Sequence, residues 1–396
     1  MGWKENNNID PATLARVDTC WDASRGLVIS DILEGGYYQA EHLLRALSCG
    51  EPTRVAAALS EEAKSASYFG ERGLTRARSL LQQVRELARR IDTPEARANA
   101  LATEGLVLLM GAQWTESLEK NRAAETLIRD TCTGVHAMLF DTMTCQAAAL
   151  YSTGDMPALE AVSRRTARDA TLRCNVYHAA LARLFLAFPV ALAQGQLAYS
   201  RSSLEESAAF CGEHGIQAAE IHILNARCAL GMYANQAVDT YRAQEPAFLA
   251  MAKNPLMRAS YALTEVSSWR GRLALAAADQ DQAERTRCLA LAKRLAKTLL
   301  GLSFPSAAPM GHALRAGIAF VTGDKTQAES DLRTAGDRFE ALGMTIWAAA
   351  TRRRLGSLVG GDSGFIMSNR AELVMTQAGV QDFDAFTRLW APGFDH

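Results

Sequence analysis

Apolar residues recur every three or four positions along nearly the whole chain, whereas the period-two alternation of a half-buried strand is almost absent. The segment 71–91 shows this most clearly. Its apolar stripe consists of Leu74, Ala77, Leu81, Val84, Ala88 and Ile91. A helix with such a stripe can bury it only by packing against a neighbour. The pattern therefore predicts an all-α fold in which every helix needs a partner.

Short turn-like breaks divide the chain at intervals of about 40 residues. They fall at Gly111, Gly154, Gly195, Gly231, Ala278 and Gly323. Each interval has room for two helices of roughly 15–20 residues, which is the unit of a helical-hairpin repeat. We therefore expect pairs of helices near residues 35–68, 71–110, 112–153, 155–194, 196–233, 235–278 and 280–322, with a last stretch at 324–358.

Small residues recur at the spacing of the tetratricopeptide pattern, in which a small residue is followed by a second after twelve positions and a third after seven more. Two helix backbones cross closely only where the side chains between them are small, which is the physical basis of that pattern. Three sets of residues satisfy it: Gly105/Ser117/Ala124, Gly271/Ala283/Ala290 and Ala316/Ala328/Ala335. The prediction is a right-handed α-solenoid of degenerate tetratricopeptide-like helical hairpins, longer than the standard 34-residue repeat.

The chain is expected to have three segments. A leading segment covers residues 1–34, the repeat array covers 35–358, and a helical cap covers 359–396. Asp10-Pro11 at the first helix and Thr93-Pro94 inside the array each combine a capping side chain with a proline at the first helical position.

Charge and cysteine usage exclude several classes of protein. The chain carries 42 basic and 43 acidic residues, a net charge of −1, so it lacks the basic excess of a nucleic-acid binder, which argues against a nucleic-acid partner. Its eight cysteines are scattered without a C-x-x-C pair, which argues against a zinc site or a disulfide scaffold. With no apolar leader and no long apolar run, we expect no membrane contact and a cytoplasmic location.

Recognisable catalytic motifs are absent from the sequence. Gly-rich, catalytic-loop and metal-binding signatures of protein kinases are missing. Gly361-Asp362-Ser363-Gly364 matches the surroundings of a serine-protease nucleophile, but that chemistry needs a β-barrel, so we expect Asp362 or Ser363 to cap a helix. The seven histidines are isolated, and only His214 and His222, close to Glu213 and Glu220, suggest a metal site at all.

These absences predict that the protein is not an enzyme and needs neither cofactor nor metal. Perturbed carboxylates or histidines meeting in one cleft would reopen the question of catalysis. The run Arg352-Arg353-Arg354 spreads around its helix, so we interpret it as a solvated face and not as one anion site.

Several short sequence segments resemble those of a known group of proteins. They are residues 10–21, 43–52, 129–135 and 344–356, with Gly360-Gly361. In these the chain is similar to the C-terminal helical-repeat region of large bacterial serine/threonine kinases, in which a kinase and an ATPase domain precede a degenerate tetratricopeptide array. The resemblance implies a role in signal transduction beside a kinase or ATPase. It does not imply kinase activity, because those domains are missing from this chain.

Two functions remain open. The first is a regulatory module that holds a protein or peptide, such as a kinase or ATPase, in the concave groove of the solenoid. Its candidate contact residues are Asp141, Gln146, Asn175, His178, Arg183, Glu220, Asn225 and Arg227. The alternative is an effector sensor that binds a small molecule inside the superhelix, which predicts a closed, partly apolar pocket with convergent polar groups.

Overall fold

The computed structural model describes residues 2–6 and 8–394, so residues 1, 7, 395 and 396 of the expected leading and capping segments lie outside the described part. Every regular element in that part is a helix. The predicted all-α fold is therefore confirmed.

The helices follow one another with short connections. Their bounds are α1 Pro11–Leu27, α2 Ile32–Cys49, α3 Pro52–Ser67, α4 Gly70–Ile91, α5 Pro94–Met110, α6 Trp114–Thr131, α7 His136–Thr153, α8 Met156–Leu172, α9 Val176–Phe185, α10 Ala191–Ala193, α11 Leu197–Glu213, α12 Glu220–Tyr233, α13 Ala237–Met251, α14 Ser260–Gln280, α15 Arg285–Gly301, α16 Ala307–Val321, α17 Lys325–Ala341, α18 Thr345–Val359, α19 Gly361–Gln377 and α20 Phe383–Trp390. A π-type turn, Leu186–Val190, joins α9 to α10. Within a few residues, the eight predicted helical stretches coincide with α2 to α18.

Local capping chemistry explains where many helices begin. The carboxylate of Asp10 accepts a hydrogen bond from the backbone N–H of Thr13, and the hydroxyl of Thr93 accepts one from Ala96. Both caps are followed by proline, whose missing N–H costs nothing at that position. The two predicted helix starts are confirmed.

Most helices pack chiefly against the helices before and after them in the chain. A second set of contacts joins helices that are not neighbours in the chain. Each helix in this series contacts the next one in it: α3, α5, α7, α9, α12, α14 and α16. These alternate helices, here called the inner helices, form one layer, and the helices between them lie outside it.

Within the described part of the chain, four hydrogen bonds connect residues that are about 190 positions apart in sequence. The Thr345 hydroxyl and the Thr153 carbonyl are 192 residues apart, and the other three pairs have nearly the same separation. Those three run from Ala218 N–H to Ile29 O (3.0 Å), from Tyr261 N–H to Tyr68 O (3.4 Å) and from Gln381 N–H to Ala193 O (2.9 Å). The second half of the row of helices therefore packs against the first half.

The small-residue pattern is correct in two of its three predicted sets. The Ser117 hydroxyl donates to the Gly105 carbonyl at 2.7 Å, where α5 and α6 cross. Ala316, Ala328 and Ala335 are all fully buried between α16 and α17. The set Gly271/Ala283/Ala290 is wrong, because Ala283 and Ala290 are exposed. Its Gly271 instead makes room for Leu314 of the next inner helix.

Replacing Gly105 with alanine should lower the free energy of unfolding by about 1–3 kcal/mol, because an added methyl group overpacks this crossing. A Cβ atom at Gly105 would lie 2.4 Å from Nδ2 of Asn121, which is fully buried and hydrogen-bonded to the Ser117 carbonyl. Gly36 on α2 is the matched control, since no atom lies within 4 Å of a Cβ added there. Gly36→Ala should stabilise the protein by about 0.5–1 kcal/mol. Urea unfolding measures both, and equal effects would contradict the close crossing.

The arginine run on α18 is not the solvated face that the sequence predicted. Arg352 pairs with Glu340, Arg353 pairs with Glu372 and Asp384, and the Nε of Arg354 donates to the Ala391 carbonyl at 3.1 Å. The three side chains therefore hold α18 against α17, α19, α20 and the segment after α20. Their spread around the helix, which argued against one anion site, is confirmed.

The segment Gly361–Gly364 forms the first turn of α19, and neither Asp362 nor Ser363 caps it. The expected cap is wrong. Gly364 has a packing role instead, because a Cβ atom there would lie 2.3 Å from the Gly356 carbonyl oxygen. The glycine lets α18 and α19 approach backbone to backbone.

One stretch in the described part, Val176–Ala193, is apolar and long enough to cross a membrane, with a mean hydropathy of 1.6. Sequence inspection did not single it out. In the structure 78% of it is buried inside the protein, and Phe188 has extended backbone within it. Core helices satisfy the same criteria of length and hydropathy, and burial places this stretch among them.

Candidate ligand-binding cavity

The inner helices surround a cavity of about 200 Å³. Ten aromatic side chains line it: Tyr68, Trp114, Tyr151, Tyr177, Phe185, Phe188, Tyr261, Trp269, Phe304 and Trp347. We call this space the aromatic cavity. It exceeds the roughly 150 Å³ of an apolar cavity that is known to hold benzene. A small organic molecule therefore fits inside.

Four tyrosines supply hydroxyl groups to the lining. Burial raises the pKa of Tyr68, Tyr151, Tyr177 and Tyr261 well above the ordinary value of 10. Each keeps some accessible surface although it lies deep in the protein, because it faces the cavity. These phenols are neutral hydrogen-bonding groups at any physiological pH.

Glu265 on α14 is the carboxylic acid of the cavity lining. Burial raises the pKa of Glu265 to about 7, against the opposing effects of the Arg272 charge and the nearby Trp269 indole. The Asn225 amide of α12 lies 3.4 Å from the Glu265 carboxylate and donates to it. Among the described residues Glu265 forms no ion pair within 4.0 Å. This carboxyl group titrates near neutral pH in a largely apolar surrounding.

Arg272 lies two helical turns beyond Glu265, on the same side of α14, and is only 3% exposed. Its guanidinium carbon is 3.7 Å from the ring centre of Trp269, 5.2 Å from that of Trp347 and 5.1 Å from that of Trp390. Its Nη1 donates to the Leu389 carbonyl at 2.6 Å. Burial lowers the pKa of Arg272 to about 10, so it remains protonated at neutral pH. The cation joins α14, α18 and α20 behind the cavity wall.

Two further ionisable groups of the lining stay neutral. Burial lowers the pKa of His222 to about 4, and burial raises the pKa of the Cys145 thiol to about 12, with a further contribution from the Asp141 charge. At neutral pH the imidazole is therefore uncharged and the thiol is protonated. A perturbed carboxyl group and a perturbed imidazole do line one cavity, which is the arrangement that reopens the question of catalysis.

A polar cluster lies beside the aromatic cavity. The Asp141 carboxylate lies 3.2 Å from Nε2 of His178 and accepts a hydrogen bond from Arg25 at 2.9 Å. Burial alone would raise the pKa of Asp141, but His178 and the Arg25 charge hold it well below its usual range. The Asp141 charge in turn contributes to the raised pKa of Tyr68 and Tyr177, so the cluster is close to the lining.

The structure separates the eight predicted contact residues. Asp141 and His178 lie together, with Asn175 2.9 Å from the His178 ring. Asn225 lines the aromatic cavity. The remaining four are elsewhere: Gln146 is buried against Glu125, Arg227 pairs with Glu205, and Arg183 and Glu220 are exposed. Their role in partner binding stays a prediction.

Sequence reasoning missed Arg25, Glu265, Arg272 and the aromatic residues of the lining. One signal was present. The segment 264–272 carries a glutamate and two arginines among small and apolar residues. In the structure the middle of α14 is almost completely buried. Charged residues on a helix too apolar to face water are candidates for a functional interior. His214, which the sequence grouped with His222, is exposed at the end of α11 and outside the cavity lining.

Within residues 2–6 and 8–394, no three His, Cys, Asp or Glu side chains are grouped so that they could hold a metal ion. All eight cysteines lie in this range, and none forms a disulfide. No family model matches this chain, and no curated protein matches it either.

Proposed function

We propose that this protein is a small-molecule sensor whose site is the aromatic cavity. The observation that carries the proposal is a cavity of about 200 Å³ with ten aromatic side chains and one buried carboxyl group. Binding pockets of this kind combine a mostly apolar lining with a few polar groups that orient the ligand. A largely apolar lining with a few convergent polar groups supports an effector sensor.

We propose a right-handed, tetratricopeptide-like solenoid as the frame of the sensor, and the order in which the helices contact one another supports a solenoid. The inner helices contact one another in sequence order, and the four long-range hydrogen bonds share a separation close to 192 residues. A coil of repeats that completes one turn after that length of chain accounts for both observations. The ligand then lies inside the coil, where every repeat around it can respond.

The chain's own C-terminus favours a small ligand over a long peptide. Helix α20 packs against α12 and α18, and its Phe386 and Trp390 are almost completely buried. This part of the inner surface is therefore covered by the chain itself. The resemblance to kinase-associated repeat regions supplies the proposed output, in which the sensor acts on a kinase or ATPase.

The proposal is tested by thermal-shift screening with a library of small metabolites and fragments. A ligand at about 100 times its Kd should stabilise the folded protein by about 2.7 kcal/mol. Ala148 lines the cavity, so Ala148→Phe should fill it and abolish the response. Ala290→Phe is the matched control, because Ala290 is exposed on α15. If no compound stabilises the wild type, or if Ala148→Phe responds as well as Ala290→Phe, the cavity is not the site.

A proton-transfer enzyme is the second candidate. A carboxyl group with a pKa of about 7 is suited to general acid–base catalysis at neutral pH. Each compound found in the screen should therefore be incubated with the protein and followed by NMR. Conversion by the wild type that is lost in Glu265→Gln would establish catalysis, and unchanged compounds would leave the sensor as the function.

A further inference from the structure

We infer that the ligand of the aromatic cavity is a small organic cation with an apolar body, and that Glu265 is its counter-ion. The inference rests on the proposed function and specifies its ligand class. Suitable compounds carry an amine or a quaternary ammonium group on a body about the size of a benzene ring.

The first argument is the lack of an ion pair in contact with Glu265, because the Arg272 charge that acts on it belongs to a guanidinium held behind the cavity wall by Trp269. Its carboxylate lies deep in the protein with one long hydrogen bond from Asn225, and within the described part of the chain no Lys or Arg lines the cavity. An ionised carboxylate removed from water is costly unless a positive charge compensates it. A bound cation supplies that charge. A neutral ligand leaves the carboxylate without a cation in contact with it, and an anion adds repulsion.

The second argument is the aromatic lining. The faces of Trp and Tyr rings carry partial negative charge and attract cations within about 6 Å of the ring centre. Trp269 and Trp347 line the cavity and already hold the guanidinium of Arg272 at 3.7 and 5.2 Å from their ring centres. Cages of aromatic rings with a nearby carboxylate are the usual sites for alkylated ammonium groups. The lining therefore provides both parts of such a site.

The third argument concerns which groups near Glu265 can change charge. They are Tyr151 on α7, His222 on α12, and Tyr261 and Arg272 on α14. The pKa of His222 is about 4 and that of Arg272 about 10, and both tyrosine pKa values lie well above 10. Between pH 6 and 8 only Glu265 titrates among them. Affinity for a cation should therefore rise with pH across this range, because protonation of Glu265 removes the counter-ion.

The experiment is isothermal titration calorimetry with three probes that share a phenyl ring and differ in charge: benzyltrimethylammonium, benzyl alcohol and benzoate. At pH 8 the wild type should bind the cation at least about tenfold more tightly than the alcohol or the anion. Lowering the pH to 6 should weaken cation binding about tenfold, since the ionised fraction of Glu265 falls by that factor. In Glu265→Gln the cation should lose its advantage and its pH dependence, while binding of benzyl alcohol should change less than twofold.

The outcomes separate the two proposals. If benzyl alcohol or benzoate binds better than the cation, and Ala148→Phe abolishes that binding, the cavity is a ligand site but the cation inference is overturned. Cation binding that is the same in Glu265→Gln as in the wild type also overturns it. If none of the three probes and no compound of the screening library binds, the proposed function itself fails.

Discussion

Replacing Trp390 with alanine should lower the free energy of unfolding by about 3–5 kcal/mol, the usual cost of deleting a fully buried tryptophan side chain. Trp390 is 2% exposed, and its ring centre lies 3.9 Å from that of Trp347 and 5.6 Å from that of Trp269. It is also one of the three rings around Arg272. The substitution therefore leaves a cavity and weakens the site of a buried cation at once. Urea unfolding followed by circular dichroism measures the change.

Phe365 provides the control for Trp390. It is an aromatic residue near the same end of the chain, on α19, and is 66% exposed. Phe365→Ala should change stability by no more than about 0.5 kcal/mol. A loss below about 1 kcal/mol for Trp390→Ala would mean that α20 does not pack into the interior, and the argument against a long peptide in that position would no longer hold.

Replacing Glu265 with glutamine should change the free energy of unfolding differently at different pH values. The difference between the variant and the wild type should favour the variant by about 3 kcal/mol more at pH 8 than at pH 4. The pKa of Glu265 is raised from 4.5 to about 7 in the folded protein. The stability that the neutral carboxyl group contributes is present below pH 4.5 and is lost as the pH rises through 7. Glutamine resembles the protonated form and cannot ionise, so the variant avoids this loss.

The measurement is a series of urea unfolding curves for both proteins between pH 4 and 8. Taking the difference between them removes the contribution of other groups, such as Asp141, whose effect on stability has the opposite dependence on pH. Glu119→Gln, at an exposed position on α6, should follow the wild type within about 0.5 kcal/mol throughout. A wild-type minus Glu265→Gln difference that does not vary with pH would show that Glu265 is not desolvated in the folded protein.

Helix content and repeat spacing could be predicted because they depend on local patterns. The apolar stripe of residues 71–91 corresponds to α4, Gly70–Ile91, almost residue for residue. The twelve-residue spacing of small residues predicted where adjacent helices cross closely, as at Gly105 and Ser117. One further crossing does not fit the twelve-residue spacing, because the Ser200 hydroxyl donates to the carbonyl of Ala187, which lies thirteen residues earlier in the chain. The π-type turn at Leu186–Val190 accounts for the extra residue.

The sequence by itself determined that this chain is helical, where successive pairs of helices lie to within a few residues, and that each helix buries one side against a neighbour. Only the tertiary structure decided which helices distant in sequence meet, and so brought α20 with Trp390 against Arg272 of α14, although more than about 100 residues separate these two helices in the chain. Periodicity shows which side of a helix is buried, but not what lies opposite. That depends on small rotations between successive helices, which add up along the array and appear in no single segment.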